Sequence, residues 1–184
     1  HRINSDESPI NPYRVMIDLC WSLDLSNSIV THDSGYPRDQ FAPFWPALEP
    51  RSYIGWGKST QLGYGLGLAI GAKIAAPDKQ VVNVMGDAAF GMSGLDIETA
   101  VRAEIPILTV VLNNGVMTNY SHHMPIATEQ WESNALGGDY RDVALALGAY
   151  AERVESADEI NLAVDRALKA NYEGQPALLE IMVK

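Results

Sequence analysis

Residues 81–117 read VVNVMGDAAFGMSGLDIETAVRAEIPILTVVLNNGVM. Two apolar runs rich in β-branched residues, 81–85 and 107–112, lie in this stretch. Each is followed by a polar cluster, GD after the first and NNG after the second. An amphipathic segment of helical length separates the two runs. The stretch therefore predicts a strand, a helix and a second strand that form one βαβ unit.

The polar residues after these two strands predict a metal site. In a parallel βαβ unit the carboxyl ends of both strands lie at one edge of the sheet, where open α/β folds bind their ligands. Asp87 and Asn114 are therefore expected to meet, although they are 114 − 87 = 27 positions apart. A carboxylate, an amide oxygen and nearby backbone carbonyls suit a hard cation such as Mg²⁺.

Small residues beside Asp87 predict a phosphate site next to the metal. Gly86, Ala88, Ala89 and Gly91 are expected to leave their backbone N–H groups open, just before a helix that starts near Ser93. A helix N-terminus with accessible amides attracts phosphate. Metal-binding oxygens and phosphate-binding amides at one edge together indicate a Mg²⁺-diphosphate site.

The motif resembles that of a known cofactor family. GDA at 86–88, followed by NN at 113–114, resembles the thiamine diphosphate motif of the acetolactate synthase and benzoylformate decarboxylase group, GDG followed at a similar distance by NN. The similarity continues over most of the chain. An ordinary βαβ unit with a turn Asp and an Asn-Asn-Gly turn is the alternative, but it leaves that flanking similarity unexplained. The resemblance implies a three-layer α/β/α fold with a mainly parallel sheet over residues 11–184, and thiamine diphosphate and Mg²⁺ as cofactors.

The resemblance also implies which residues line the cofactor. The segment after the strand at 29–31 in this family lines the diphosphate, and here Asp33, Ser34 and Gly35 match its start. Tyr36 and Pro37 replace the polar pair that follows, so Ser34 and the backbone of Gly35 are the implied phosphate contacts. Leu62 matches the residue that bends thiamine, and the Thr60 carbonyl matches the acceptor of its amino group. The full implied set is Ser34, Gly35, Thr60, Gln61, Leu62, Gly86, Asp87, Ala88, Ala89, Asn114, Val116 and Met117. Its implied metal ligands are Asp87, Asn114 and the main-chain carbonyl of Val116.

The implied activity needs a part that these residues do not resemble. Enzymes of the group decarboxylate or join 2-keto acids and related carbonyl compounds, and a glutamate on a separate pyrimidine-binding domain activates the cofactor. Nothing in the 184 residues resembles that domain. The resemblance thus implies no catalytic residue in this chain, an inactive isolated chain, a pyrimidine-binding partner in the same polypeptide or in another subunit, and a homo- or hetero-oligomer. The choice among acetolactate synthesis, decarboxylation, aldehyde ligation and C–C cleavage stays open.

Composition limits the number of domains and the kinds of partner that this chain can have. A chain of 184 residues with 47% hydrophobic side chains can bury the core of one domain. Its net charge of −10, without a Lys/Arg run, argues against nucleic acid or anionic membranes as partners. Cys20 has no second cysteine in these residues to pair with, and the first residues lack the charged-then-apolar layout of a signal peptide, so we expect the cytoplasm. Residues 1–10 are polar and start without Met, so we expect a linker-like segment and a piece of something longer.

Periodicity predicts the remaining elements. Helices are predicted at 12–23, 139–148 and 158–171, and strands at 29–31, 150–154 and 176–183. Gly63, Gly67 and Gly71 recur every fourth position, so one helix face is expected to let a neighbouring backbone approach closely. Residues 115–138 have no clear period and are predicted to form a long loop over the site.

Two other classes of function stay open. Gly57-Lys58-Ser59 imitates the end of a nucleotide-binding P-loop, but the first glycine of that motif would fall on Ser52 and no apolar strand precedes it. A regulatory domain with a relic cofactor site is the second alternative, because alanines occupy 88 and 89. His122 and His123 are interpreted as solvated, and without a carboxylate at ligand spacing they do not indicate zinc.

Overall fold

The sheet carries the architecture of this protein. The computed structural model describes residues 2–57 and 61–184. Its strands are β1 Ser28–His32, β2 Tyr53–Ile54, β3 Gln80–Gly86, β4 Leu108–Asn113, β5 Tyr150–Val154 and β6 Ala177–Met182. They form one sheet in the order β2-β1-β3-β4-β6-β5, and every neighbouring pair is parallel. The strands predicted from the apolar runs are confirmed, whereas the two-residue edge strand β2 was not predicted.

Helices cover both faces of the sheet. They are α1 Pro12–Ser22, α2 Tyr36–Phe41, α3 Tyr64–Ala75, α4 Asp87–Ser93, α5 Asp96–Arg102, α6 Tyr120–His123, α7 Pro125–Trp131, α8 Tyr140–Ala146 and α9 Ile160–Tyr172. Buried side chains of α1, α2 and α9 form the core on one face, and those of α3, α4, α5 and α8 form the core on the other. Strand β4 is buried along its whole length, as expected of a parallel strand between two helical layers. The predicted three-layer α/β/α fold is confirmed.

The N-terminal segment joins the sheet at its last residue. Ile10 is fully buried and bridges Val183 in parallel. The Asn11 side chain then caps α1 by accepting a hydrogen bond from the Tyr13 N–H at 3.1 Å, and Pro12 takes the first helical position, as predicted. Residues 2–4 form a turn of 3₁₀-helix. The linker-like segment is therefore docked at its C-terminal end.

The helix after β3 was predicted wrongly. It begins at Asp87, directly after the strand, and is interrupted at Gly94 before α5 begins. Glycine is a weak helix former, which accounts for the break. Because Gly91 is the fifth residue of α4, its N–H lies beyond the first turn and is used within the helix rather than left open.

The prediction of close approach was wrong for Gly67 and Gly71, whereas a Cβ at Gly63 would lie 3.3 Å from the Ser93 side chain. Gly67 and Gly71 have nothing within 4 Å of the place where a side chain would start. The close approach is instead at Gly65, where a Cβ would lie 2.6 Å from the Asn83 side-chain oxygen and 2.9 Å from an Asp33 carboxylate oxygen. Gly63 caps the helix with φ of +86°. A glycine at every fourth position does not show which residues of the helix contact the sheet.

Residues 115–138 are not one long loop. They contain α6 and α7, two short helices of four and seven residues. Helices of this length make only one or two turns, and their side chains are half-buried or exposed throughout. The sequence therefore shows no hydrophobic period that would predict them. Within the described residues, none of the helices has the length and apolar character needed to cross a bilayer.

Cys20 is expected to be unreactive in the folded protein. Its side chain is 5% exposed, and burial raises the pKa of the thiol to about 11. The reactive thiolate therefore appears only as pH rises toward that value. At pH 8 we expect modification by a disulfide reagent to be roughly 100-fold slower than in the unfolded chain. Absorbance of the released thiol, with and without guanidinium, measures both rates; equal rates would contradict this burial.

Candidate functional site

The predicted site residues gather at one cavity. It has a volume of about 460 Å³ and opens at the carboxyl ends of β1, β3 and β4. The chain leaves β1 toward β2 on one side and leaves β3 toward β4 on the other, so the cavity lies at a topological switch point. Ten of the twelve residues implied by the resemblance line it: Ser34, Gly35, Leu62, Gly86, Asp87, Ala88, Ala89, Asn114, Val116 and Met117.

The other two of the twelve are Thr60 and Gln61. Thr60 lies outside the described residues, as does Lys58 of the P-loop-like sequence. Gln61 is exposed and is absent from the cavity wall. Leu62, by contrast, is half-buried, packs against the core on the α3 face, and reaches the cavity.

Asp87 is the buried acid of the cavity. It is the first residue of α4 and only 3% exposed. One carboxylate oxygen accepts a hydrogen bond from the Ala88 N–H and the other from the Gly115 N–H, both at 2.8 Å. The prediction that the Ala88 N–H is left open for a phosphate is therefore wrong, because Asp87 itself uses it. Burial raises the pKa of Asp87, and these backbone hydrogen bonds oppose the rise. A cation beside the carboxylate would offset the same burial penalty.

The oxygen donors that share the cavity wall with Asp87 fit a hard cation. The Asn114 side-chain oxygen accepts a hydrogen bond from the Val116 N–H at 3.3 Å. Val116 bridges Ala135 in antiparallel fashion, and the two hydrogen bonds of that bridge use the Gly115 carbonyl and the Met117 N–H. The Val116 N–H is not used in that bridge and points to the Asn114 side chain instead. In extended backbone the N–H and C=O of one residue point the same way, so the Val116 carbonyl points to the same side as its N–H, toward Asn114.

The described residues contain no alternative metal site made of acidic, histidine or thiol ligands. Across residues 2–57 and 61–184, no group of three or more His, Cys, Asp and Glu side chains is arranged to hold a metal ion. One carboxylate together with amide and carbonyl oxygens is a set that suits Mg²⁺ rather than zinc. The residues present therefore fit the metal that the resemblance implies.

The backbone around the cavity also leaves room for a phosphate. Gly35 has φ of +79°, a conformation that favours glycine. At both Gly35 and Gly86, the place where a side chain would start has nothing within 4 Å. Because both residues line the cavity, a ligand can approach their main chain closely.

Asp33 has a structural role. It is fully buried, and its carboxylate accepts hydrogen bonds from the N–H groups of Gly63 at 2.8 Å and Gly65 at 3.0 Å. Burial raises its pKa, and these hydrogen bonds oppose the rise. The carboxylate therefore ties the end of β1 to the start of α3 and fixes the turn that carries Leu62.

Several cavity residues, Arg38 and His123 among them, were not singled out from the sequence as cofactor neighbours. Arg38 lines the cavity from α2, ion-paired to Asp39 at 2.7 Å and donating to the Gly57 carbonyl at 3.3 Å. His123 is exposed, as the interpretation of a solvated histidine requires, but it also lines the cavity wall. The period of the sequence does not reveal either position, because α2 and α6 have only six and four residues.

This geometry defines an α/β domain with a ligand cavity at the carboxyl edge of a parallel sheet. Comparison with known proteins shows to which family this domain belongs. Residues 33–181 match the family model described as thiamine pyrophosphate enzyme, C-terminal TPP binding domain. The chain belongs to this family, whose cofactor is thiamine pyrophosphate, the same compound as thiamine diphosphate.

Individual relatives agree with the family. The acetolactate synthase large subunit IlvG of Mycobacterium tuberculosis is 31% identical over 96% of this chain and 32% of its own length. A 2-hydroxyacyl-CoA lyase of Arabidopsis thaliana is 27% identical over 99% of this chain and 33% of its own length. The structure of a thiamine diphosphate-dependent 4-hydroxybenzoylformate decarboxylase from Rhodococcus jostii RHA1 shares the fold, with a TM-score of 0.83 and 24% identity over 98% of this chain and 34% of that one. The chain thus spans about a third of the length of the relatives it matches.

Proposed function

We propose that this chain is the diphosphate- and Mg²⁺-binding domain of a 2-keto acid decarboxylase or carboligase of the acetolactate synthase type. The observation that carries the proposal is the gathering of ten of the twelve residues implied by the resemblance around one cavity, with buried Asp87 and Asn114 both on its wall. Bound thiamine diphosphate would supply a nucleophilic carbon that adds to a carbonyl substrate.

The residues of the chain would bind and orient the cofactor. Asp87, Asn114 and the Val116 carbonyl would hold Mg²⁺, while Ser34 and the open backbone at Gly35 and Gly86 would receive the diphosphate. Leu62 is held by the Asp33-bonded turn against the core, where a rigid apolar side chain can fix the shape of the cofactor. Met117 and the following residues 118–120 line the same cavity and would face the substrate.

A partner domain would complete the site. The relatives are about three times as long as this chain, which supports a pyrimidine-binding domain in the same polypeptide or in a second subunit. We place the activating glutamate there, and a homo- or hetero-oligomer would bring the two domains together.

The proposal is tested by turnover of pyruvate and of benzoylformate with thiamine diphosphate and Mg²⁺. We expect the 184-residue chain alone to release no CO₂ and to form no C–C bond, whereas the complete protein with its pyrimidine-binding domain does one or the other. CO₂ release and product chromatography provide the measurement. Turnover by the chain alone, or a complete protein that binds no thiamine diphosphate, would overturn the proposal.

A further inference from the structure

A buried glutamate lies behind the metal-binding turn. Glu180, on β6, is fully buried. One of its carboxylate oxygens accepts hydrogen bonds from the Arg153 side chain at 3.1 Å and from the Arg141 N–H at 3.0 Å. The other accepts from the Asn113 side-chain amide at 2.7 Å. Glu180 therefore joins β5, α8 and β4 in one place.

Asn113 connects this glutamate to the cavity. Its amide nitrogen donates to Glu180, and its amide oxygen accepts the Gly115 N–H at 3.1 Å. The same N–H also donates to Asp87 at 2.8 Å. A continuous path of hydrogen bonds therefore runs from Glu180 through Asn113 and Gly115 to Asp87.

The charge of Glu180 decides which way the Asn113 amide points. An ionised carboxylate only accepts hydrogen bonds, so it must face the NH₂ end of the amide. The oxygen end is then turned toward Gly115. The Arg153 guanidinium, whose side chain is 24% exposed, lies 3.1 Å from the Glu180 carboxylate and forms an ion pair with it.

We propose that Glu180 is a positioning residue for the metal site. Through Asn113 it holds the turn at Gly115, and this turn places Asp87 and Asn114 side by side. Because Glu180 would act on bound Mg²⁺, its role rests on the proposed function. It is not among the residues that line the cavity, and it is not one of the proposed metal ligands.

A glutamine at 180 cannot satisfy both ends of the path. If its oxygen faces Asn113, its NH₂ group meets the N–H donors of Arg141 and Arg153. If its NH₂ group faces Asn113, the asparagine must turn over, and its own NH₂ group then meets the Gly115 N–H. Glu180→Gln is therefore expected to release the turn without changing the size of the side chain.

The experiment is a titration of Mg²⁺ into the complete protein at saturating thiamine diphosphate. We expect Glu180→Gln and Asn113→Ala each to weaken Mg²⁺ binding about 10-fold or more, in the range of groups that orient metal ligands. The double variant should lose no more than either single one, since both interrupt one path. Glu152→Gln is the matched control, because its ion pair with Arg166 at 2.6 Å lies at the surface away from the cavity. It should leave Mg²⁺ affinity unchanged.

Hydrogen exchange provides a second measurement that needs no cofactor. The Gly115 amide should exchange faster in Glu180→Gln than in the unaltered protein or in Glu152→Gln. Unchanged Mg²⁺ affinity in Glu180→Gln, or losses that add in the double variant, would overturn the positioning role. Should Glu180→Gln not fold, unchanged affinity in Asn113→Ala, which retains the Glu180–Arg153 pair, would overturn it equally. If the unaltered protein binds neither Mg²⁺ nor thiamine diphosphate, the proposed function fails, and Gly115 exchange alone decides the role of Glu180.

Discussion

Asp87→Asn is expected to abolish Mg²⁺-dependent binding of thiamine diphosphate. Asp87 is the one carboxylate of the proposed donor set, and its replacement removes the negative charge that faces the metal. Groups that merely orient metal ligands are typically worth 10–100-fold in affinity, so we expect the loss of the ligand itself to be about 100-fold or more. Isothermal titration of Mg²⁺ in the presence of the cofactor measures this loss.

Asp96→Asn is the matched control for this change. Asp96 is the first residue of α5, as Asp87 is of α4, but it is exposed and does not line the cavity. Its replacement should leave Mg²⁺ affinity unchanged. Circular dichroism should show both variants folded, because an asparagine at 87 still accepts one of the two backbone hydrogen bonds. Equal Mg²⁺ affinity in Asp87→Asn and the unaltered protein would move the metal site elsewhere.

Gly65→Ala is expected to destabilise the fold, whereas the same change two residues on should not. A Cβ at 65 would lie 2.6 Å from the Asn83 side-chain oxygen, 2.9 Å from Asp33 and 3.1 Å from the His32 main chain. All three are buried, so relief requires a shift of α3 away from β1 and β3. Overpacking of this kind typically costs about 1–3 kcal/mol in the free energy of unfolding.

Gly67→Ala tests the steric reason for that loss. Residue 67 lies in the same helix with nothing within 4 Å of its Cβ position, and alanine favours helix over glycine by up to about 1 kcal/mol. We therefore expect an unchanged or raised Tm for Gly67→Ala and a Tm lowered by several degrees for Gly65→Ala, measured by thermal denaturation. Equal behaviour of the two variants would contradict the close packing of α3 at Gly65.

The sequence predicted those helices and strands in which a pattern of apolar residues extends over several turns or strand residues. The apolar runs at 81–85 and 107–112 could be assigned as strands because the layers on both faces demand continuous burial. The position of Asp87 and Asn114 at one edge then followed from parallel strands alone. The start of α4 could not be predicted in the same way, since Gly91 and Gly94 interrupt its period.

The periodicity of the sequence could not predict contacts between residues that lie far apart in the chain. The Asn113–Glu180 hydrogen bond joins residues 67 positions apart, and the Gly63–Asp33 bond joins residues 30 apart. Neither pair matches a spacing within a single element. Such hydrogen bonds become visible only when the register of the strands and the packing of the helices are known.

The central claim is that Asp87, Asn114 and the open backbone at the sheet edge bind thiamine diphosphate through Mg²⁺. The most direct test is calorimetric titration of thiamine diphosphate into the complete protein, once with Mg²⁺ and once with EDTA. We predict saturable binding that requires the metal and disappears in Asp87→Asn. Binding that is equally strong in EDTA would contradict the role of the metal in this claim. No binding by a protein that circular dichroism shows to be folded would contradict the claim and favour a relic site.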